Sequence, residues 1–156
     1  MPHARATMRD AIQAAMAGNV TLATVYMERR NRLDPSMLPA VVISLTDSEP
    51  QTDEFTMRSP LYECDNQQAI NIEIQAAGEP GDDGLLVAEA IDAIEVEVET
   101  AMAEDLTLGG AAEMVYPGGS VYETNVDQDR VLGVRVIQYL APWRHTFGSP
   151  DQPEGI

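Results

Sequence analysis

Residues 69–103 read AINIEIQAAGEPGDDGLLVAEAIDAIEVEVETAMA, a strand, a break and a helix in direct succession. Ile70, Ile72, Ile74 and Ala76 alternate with Asn71, Glu73 and Gln75, which describes a strand with one buried and one wet face. Gly78-Glu79-Pro80-Gly81 interrupts it, and Asp82 or Asp83 supplies an N-cap. From Leu85 to Ala103 the apolar residues Val87, Ile91, Ile94, Val98, Ala101 and Met102 keep the spacing of a helical stripe, and Glu89, Asp92, Glu95 and Glu99 take the outer face. The run Ile94 to Glu99 also alternates as a strand would. The longer window fits the helical period and strong helix formers flank it, so a helix is expected.

Toward the N-terminus, Met8, Ile12 and Met16 recur every four residues within a helix over residues 4–17, which Gly18 and Asn19 are expected to stop. Thr24–Met27 reads as a short strand. Then come Glu28-Arg29-Arg30-Asn31-Arg32 and a turn at Asp34-Pro35. Pro39 opens a strand over residues 40–45 that is apolar on both faces and therefore central. Residues 46–60 are polar and read as a long connection, of the kind that is functional or disordered when found in a compact domain. Phe55 and Met57 lie in it, followed by Arg58. The two apolar residues read either as packing onto the domain or as anchors that order on a partner. The segment is expected to be mobile in the free subunit.

Toward the C-terminus, Asp105 to Gly110 ends the long helix. A strand begins at Glu113–Tyr116, kinks at Pro117-Gly118-Gly119 and continues over residues 120–124. After a turn at Asp127-Gln128-Asp129, Val131–Leu140 is the last strand. Residues 142–156 are rich in Pro and Gly and read as a flexible tail. Trp143, just after Pro142, reads as a cap over the sheet edge. The expectation is one α+β domain over residues 1–141, with a mostly antiparallel sheet of four to five strands and two helices packed on one face.

The 156 residues suffice for one domain, and 44% are apolar. The formal charge is −17, and all nine basic residues are Arg. No basic residue lies between Arg58 and Arg130, an interval holding 17 acids, while nine acids balance the nine Arg elsewhere. Such a chain does not hold DNA by neutralising phosphates, nor does it sit on an anionic membrane. Solubility or adaptation to high salt is the plain reading of the acidic middle; a surface that must meet a positive partner or repel nucleic acid is the sharper one. No stretch is apolar enough to span a bilayer, and Arg5, Arg9 and Asp10 break any signal-peptide pattern.

Chemistry is sparse. One cysteine, Cys64, excludes an internal disulfide framework, and its neighbours Glu63 and Asp65 would raise a thiol pKa rather than lower it. His3 and His145 are the only histidines. Only the fold could bring Cys64 and His145 together, and each reads as a bystander. Gly109-Gly110 and Gly118-Gly119 read as turns, since no phosphate-loop motif surrounds them. The carboxylates single out no acid–base pair and no calcium-loop spacing. No catalytic residue, cofactor or metal is expected.

The run of segments has a precedent. Met8-Arg9-Asp10-Ala11-Ile12, Val25-Tyr26, Leu38-Pro39-Ala40-Val41-Val42-Ile43, the strand around Ile70–Ile74, the helix from Asp92 ending at Leu106-Thr107-Leu108-Gly109-Gly110, and Gly133 to Tyr139 follow one another in an order that resembles the tail terminator proteins of long-tailed bacteriophages, prophages and gene-transfer particles. The resemblance spans residues 4–141. It implies a non-enzymatic virion protein of the tail, made in the host cytoplasm, that forms a six-membered ring. The ring would end tail-tube growth and present the surface for head joining. The implied partners are other copies of the chain, the tube protein and head–tail connector proteins, with DNA passing the lumen unbound. Candidate contacts are Arg29, Arg30, Arg32, Phe55, Met57 and Arg58, and the acids Glu89, Asp92, Glu95 and Glu99, a basic flank and an acidic flank suited to a head-to-tail ring. The same Arg residues could instead bridge acids of their own subunit or stay solvated. The alternatives are a neck or connector protein or, from another class, a small ligand-binding module or enzyme built on a closed apolar pocket.

Overall fold

The structure, a computed structural model, describes residues 3–29, 31–46, 49–50, 56–58, 61–127 and 129–146, the side chains within 49–65 and at 127, 145 and 146 excepted. Helix α1 spans Ala4–Asn19 and α2 spans Gly84–Glu104. Strands β1 (Thr24–Met27), β2 (Ala40–Leu45), β5 (Leu61–Ala77), β6 (Tyr116–Asp127) and β7 (Arg130–Thr146) form a sheet in the order β1-β2-β5-β7-β6. Short strands β3 (Glu49–Pro50) and β4 (Thr56–Arg58) pair with the first part of β5. Apart from the parallel pair β1–β2, all pairings are antiparallel, so the fold is α+β with a mostly antiparallel sheet.

The alternation in β5 is realised in full. Ile70, Ile72 and Ile74 are buried, and they stand opposite Tyr139, Ile137 and Arg135 of β7. On this face they meet Met8, Ile12 and Met16 of α1 and Val87, Ile91, Ile94 and Val98 of α2. Residues 94–99 are helical, because the buried stripe of α2 sets Ile91 on the same side as Ile94 and Val98, whereas a strand would have turned Ile91 to the other face and put Val96 beside them. Asp83 is the N-cap, its side chain accepting from the Leu85 N–H at 3.1 Å. His3 caps α1, with Nδ1 accepting from the Arg5 N–H at 3.1 Å, and its ring lies edge-on to Trp143 at 5.8 Å.

Four expectations need correction. Helix α1 runs through Gly18 and Asn19 and ends at Val20, whose N–H donates to the Met16 carbonyl at 2.8 Å. Residues 46–60 are not one unpaired connection, because β3 and β4 pair with β5 and take up its free ladder. Residues 47–48, 51–55 and 59–60 of that segment, Phe55 included, lie outside the described residues. Residues 142–146 belong to β7 rather than to a tail, paired with residues 63–67 of β5. Trp143 is consequently buried in the main core instead of capping an edge. Residues 147–156 lie outside the described residues.

The parallel pairing of β1 and β2 forces a crossover, since the chain must return to the end at which β1 began. Residues 31–39 lie on that return, with Leu33 packed on the sheet face opposite the helices. A 3-10 turn at Pro35–Met37, capped by Asp34, shapes it. Leu33 packs there with Ala40 and Val42 in a second, smaller core, supported by Tyr26, Met37 and Leu38.

Candidate functional site

The described surface carries two contrasting regions. One is the outer face of α2. Leu85, Glu89, Asp92, Val96 and Glu99 follow one line along the helix at spacings of four and three, with Leu86 beside its first turn. Leu85, Leu86 and Val96 are 62%, 54% and 65% exposed, so this face mixes apolar and acidic side chains. Glu89 and Glu99 are exposed; Asp92 and Glu95 are drawn toward Arg135 on β7, whose guanidinium lies 3.7 and 3.1 Å from their carboxylates. Glu95 is therefore not an outer-face acid. It stands one helical step inward of that line, where burial raises its pKa, Arg135 opposes the rise, and Glu99 and Asp92 add to it. The same acids act on Tyr139, whose pKa burial first, then Glu99 and Glu95, push up to about 12. Arg135 also lies over the Tyr122 ring at 5.1 Å.

The other region is a hollow on the opposite sheet face. Arg32, Leu33, Pro35, Arg130 and Leu132 line it together with Asp34, and its volume is about 660 Å³. Leu33 comes from the crossover and Leu132 from β7, so the lining joins apolar side chains to two arginines and one carboxylate. The expected basic cluster is thus divided. Arg29 folds back over the Tyr26 ring at 5.0 Å and reaches the Met37 sulfur. Arg32 is exposed at the hollow, and Arg30 lies outside the described residues. Met57 stands opposite Tyr62 and Arg58 opposite Leu61 in the β4–β5 ladder.

Sequence reasoning missed Arg130, Arg135 and the exposed apolar side chains of α2. The adjacent leucines at 85 and 86 and the valine at 96 were visible signals, since one helix cannot bury both them and the Val87–Ile91–Ile94 stripe. Arg130 had none; only the β6–β7 turn brings it beside Arg32. Register also sets Cys64 opposite His145 near the end of the β5–β7 ladder. Among the described residues, no group of three or more His, Cys, Asp or Glu is placed to hold a metal ion, and no helix is long and apolar enough to cross a membrane.

No protein-family profile matches the chain. No curated protein matches it either. The chain is similar at 14% identity to a chain of a solved structure titled "Virion of native gene transfer agent (GTA) particle", over 86% of this chain and 93% of that chain, with a TM-score of 0.32. A likeness at that level assigns no function.

Proposed function

We propose that this chain is a non-enzymatic virion protein, a tail terminator that caps the tail tube as a ring, ends its polymerisation and offers the surface for head joining. The observation that supports the reading is the order of segments over residues 4–141, which resembles that family. Those segments lie within one α+β domain: α1, β1, β2, β5, α2, β6 and β7 follow one another along the chain. The charge is in keeping with it. A ring through which DNA travels works best when its surface does not hold phosphate, and copies at −17 each repel a polyanion. The specificity of such a protein lies in its surfaces, and the two described regions are where α2 and the crossover present contrasting chemistry.

Particles produced without this chain test the proposal. Electron microscopy should show tubes of abnormal length, and adding the purified protein to growing tubes should stop their elongation. Tubes of normal length that fail only to join heads would transfer the chain to the connector class. Normal, headed particles would sink the reading.

A further inference from the structure

We infer that the outer face of α2 docks into the Arg32–Arg130 hollow of a second copy of the chain, so that copies join head to tail. The inference names the contact on which the proposed ring would rest, and the contact itself is argued from the two surfaces alone.

Leu85, Leu86 and Val96 are each more than half exposed on a helix whose other side is fully engaged with the sheet and with α1. Leu85 and Val96 on one line, with carboxylates between them and Leu86 alongside, form a surface that gains by being covered. The hollow offers the complement: apolar side chains at Leu33 and Leu132 and cations at Arg32 and Arg130, while the one carboxylate in its lining, Asp34, accepts from the N–H and hydroxyl of Ser36. Other arginines are engaged within the subunit, Arg9 with Glu28, Arg135 with Asp92 and Glu95, Arg144 with Glu113, and Arg5 with Gln68. Arg32 and Arg130 have no ion pair among the described residues. Glu89 and Glu99 likewise have no cation. The unmatched charges of the two regions are thus of opposite sign, which fixes register and steers encounter.

The arrangement also dictates the symmetry. The α2 face and the hollow lie on opposite faces of the sheet. One copy's helix seated in another's hollow therefore leaves the second copy's helix free for a third. That is a heterologous contact, which closes into a ring or runs on as a filament.

Charge reversal tests this directly. R32E/R130E places carboxylates at the hollow, and E89R/E99R places guanidinium groups on α2. Each variant alone should associate about tenfold more weakly or worse in sedimentation, with an unchanged thermal melt. An equimolar mixture should assemble again, because alternating copies restore opposite charges at every junction. L85S/V96S should weaken association without loss of fold, both positions being exposed. Wild-type chains that stay monomeric throughout would overturn the inference, as would reversed variants that assemble unaided or a mixture that fails to recover. Rings that form unchanged from the variants would leave the terminator proposal standing. A contact confirmed in solution whose loss leaves tail length normal would overturn that proposal and keep the contact.

Discussion

Gly133 sits on β7 under Val87 and Ile91 of α2. A Cβ there would lie 2.7 Å from Val87 Cγ1, 2.8 Å from Ile91 Cδ1 and 2.9 Å from Tyr122 Oη. All three belong to packed groups, so Gly133→Ala must push α2 outward. The expected cost is about 1–3 kcal/mol, read as a lower denaturation midpoint with an unchanged slope. Glu97 works by hydrogen bonding instead. Its carboxylate accepts from the Thr21 and Leu22 N–H groups and the Thr21 hydroxyl at 2.8–3.2 Å, pinning the α1–β1 link to α2. Slight burial acts to raise its pKa, but the bonds from Leu22 and Thr21 outweigh it, and the net shift is downward. A carboxyl with a depressed folded pKa contributes stability above its unfolded pKa and loses it as pH falls through the folded value. Glu97→Gln should therefore be less stable than the native chain at neutral pH, and the gap should close on acidification. A gap that stays constant down to about pH 3 would show that the charge is not what matters.

At the scale of elements, periodicity made most of the fold legible. The alternation at 70–76 and the helical spacing at 87–102 each state which face is buried, and the structure buries those faces. Where local pattern was weak, pairing decided. Residues 142–146 show no period, and Pro142, Arg144 and His145 look like a tail. They are strand because residues 63–67 of β5 present a ladder for them to pair with. Residues 49–50 and 56–58 are recruited on the other side of β5 in the same way. The candidate site was legible only in part for a related reason: one-dimensional clustering of Arg29, Arg30 and Arg32 does not say that Arg29 will lie on Tyr26 while Arg32 meets Arg130. The extended β7 has a measurable consequence. Trp143 is 3% exposed against the core and edge-on to His3, the α1 cap. Trp143→Ala should cost about 3–5 kcal/mol and lower the melting temperature. A loss within about 0.5 kcal/mol, the range of ordinary surface substitutions, would return residues 142–146 to the status of a tail.

For the whole molecule, the distribution of charge argues more than its sum. A protein at −17 can still bind DNA if its cations gather on one face, because phosphate contacts are local while net charge acts at a distance. Here the described cations do not gather. Arg9, Arg135 and Arg144 are tied to carboxylates of their own subunit, Arg29 lies over an aromatic ring, and Arg5 reaches Gln68. Arg32 and Arg130 remain, and Asp34 stands beside them. Two cations at one hollow release few counterions from duplex DNA, too few to offset the repulsion of 26 acidic residues. The chain should therefore leave duplex DNA unretarded in a gel even at about 0.05 M salt, where phosphate contacts are strongest. Retention whose affinity falls linearly with the logarithm of salt concentration would contradict this. It would mean that cations outside this account, such as Arg30 or Arg58, build a phosphate-binding face, and the Arg32–Arg130 hollow would then compete for nucleic acid rather than for the acidic helix of a neighbour.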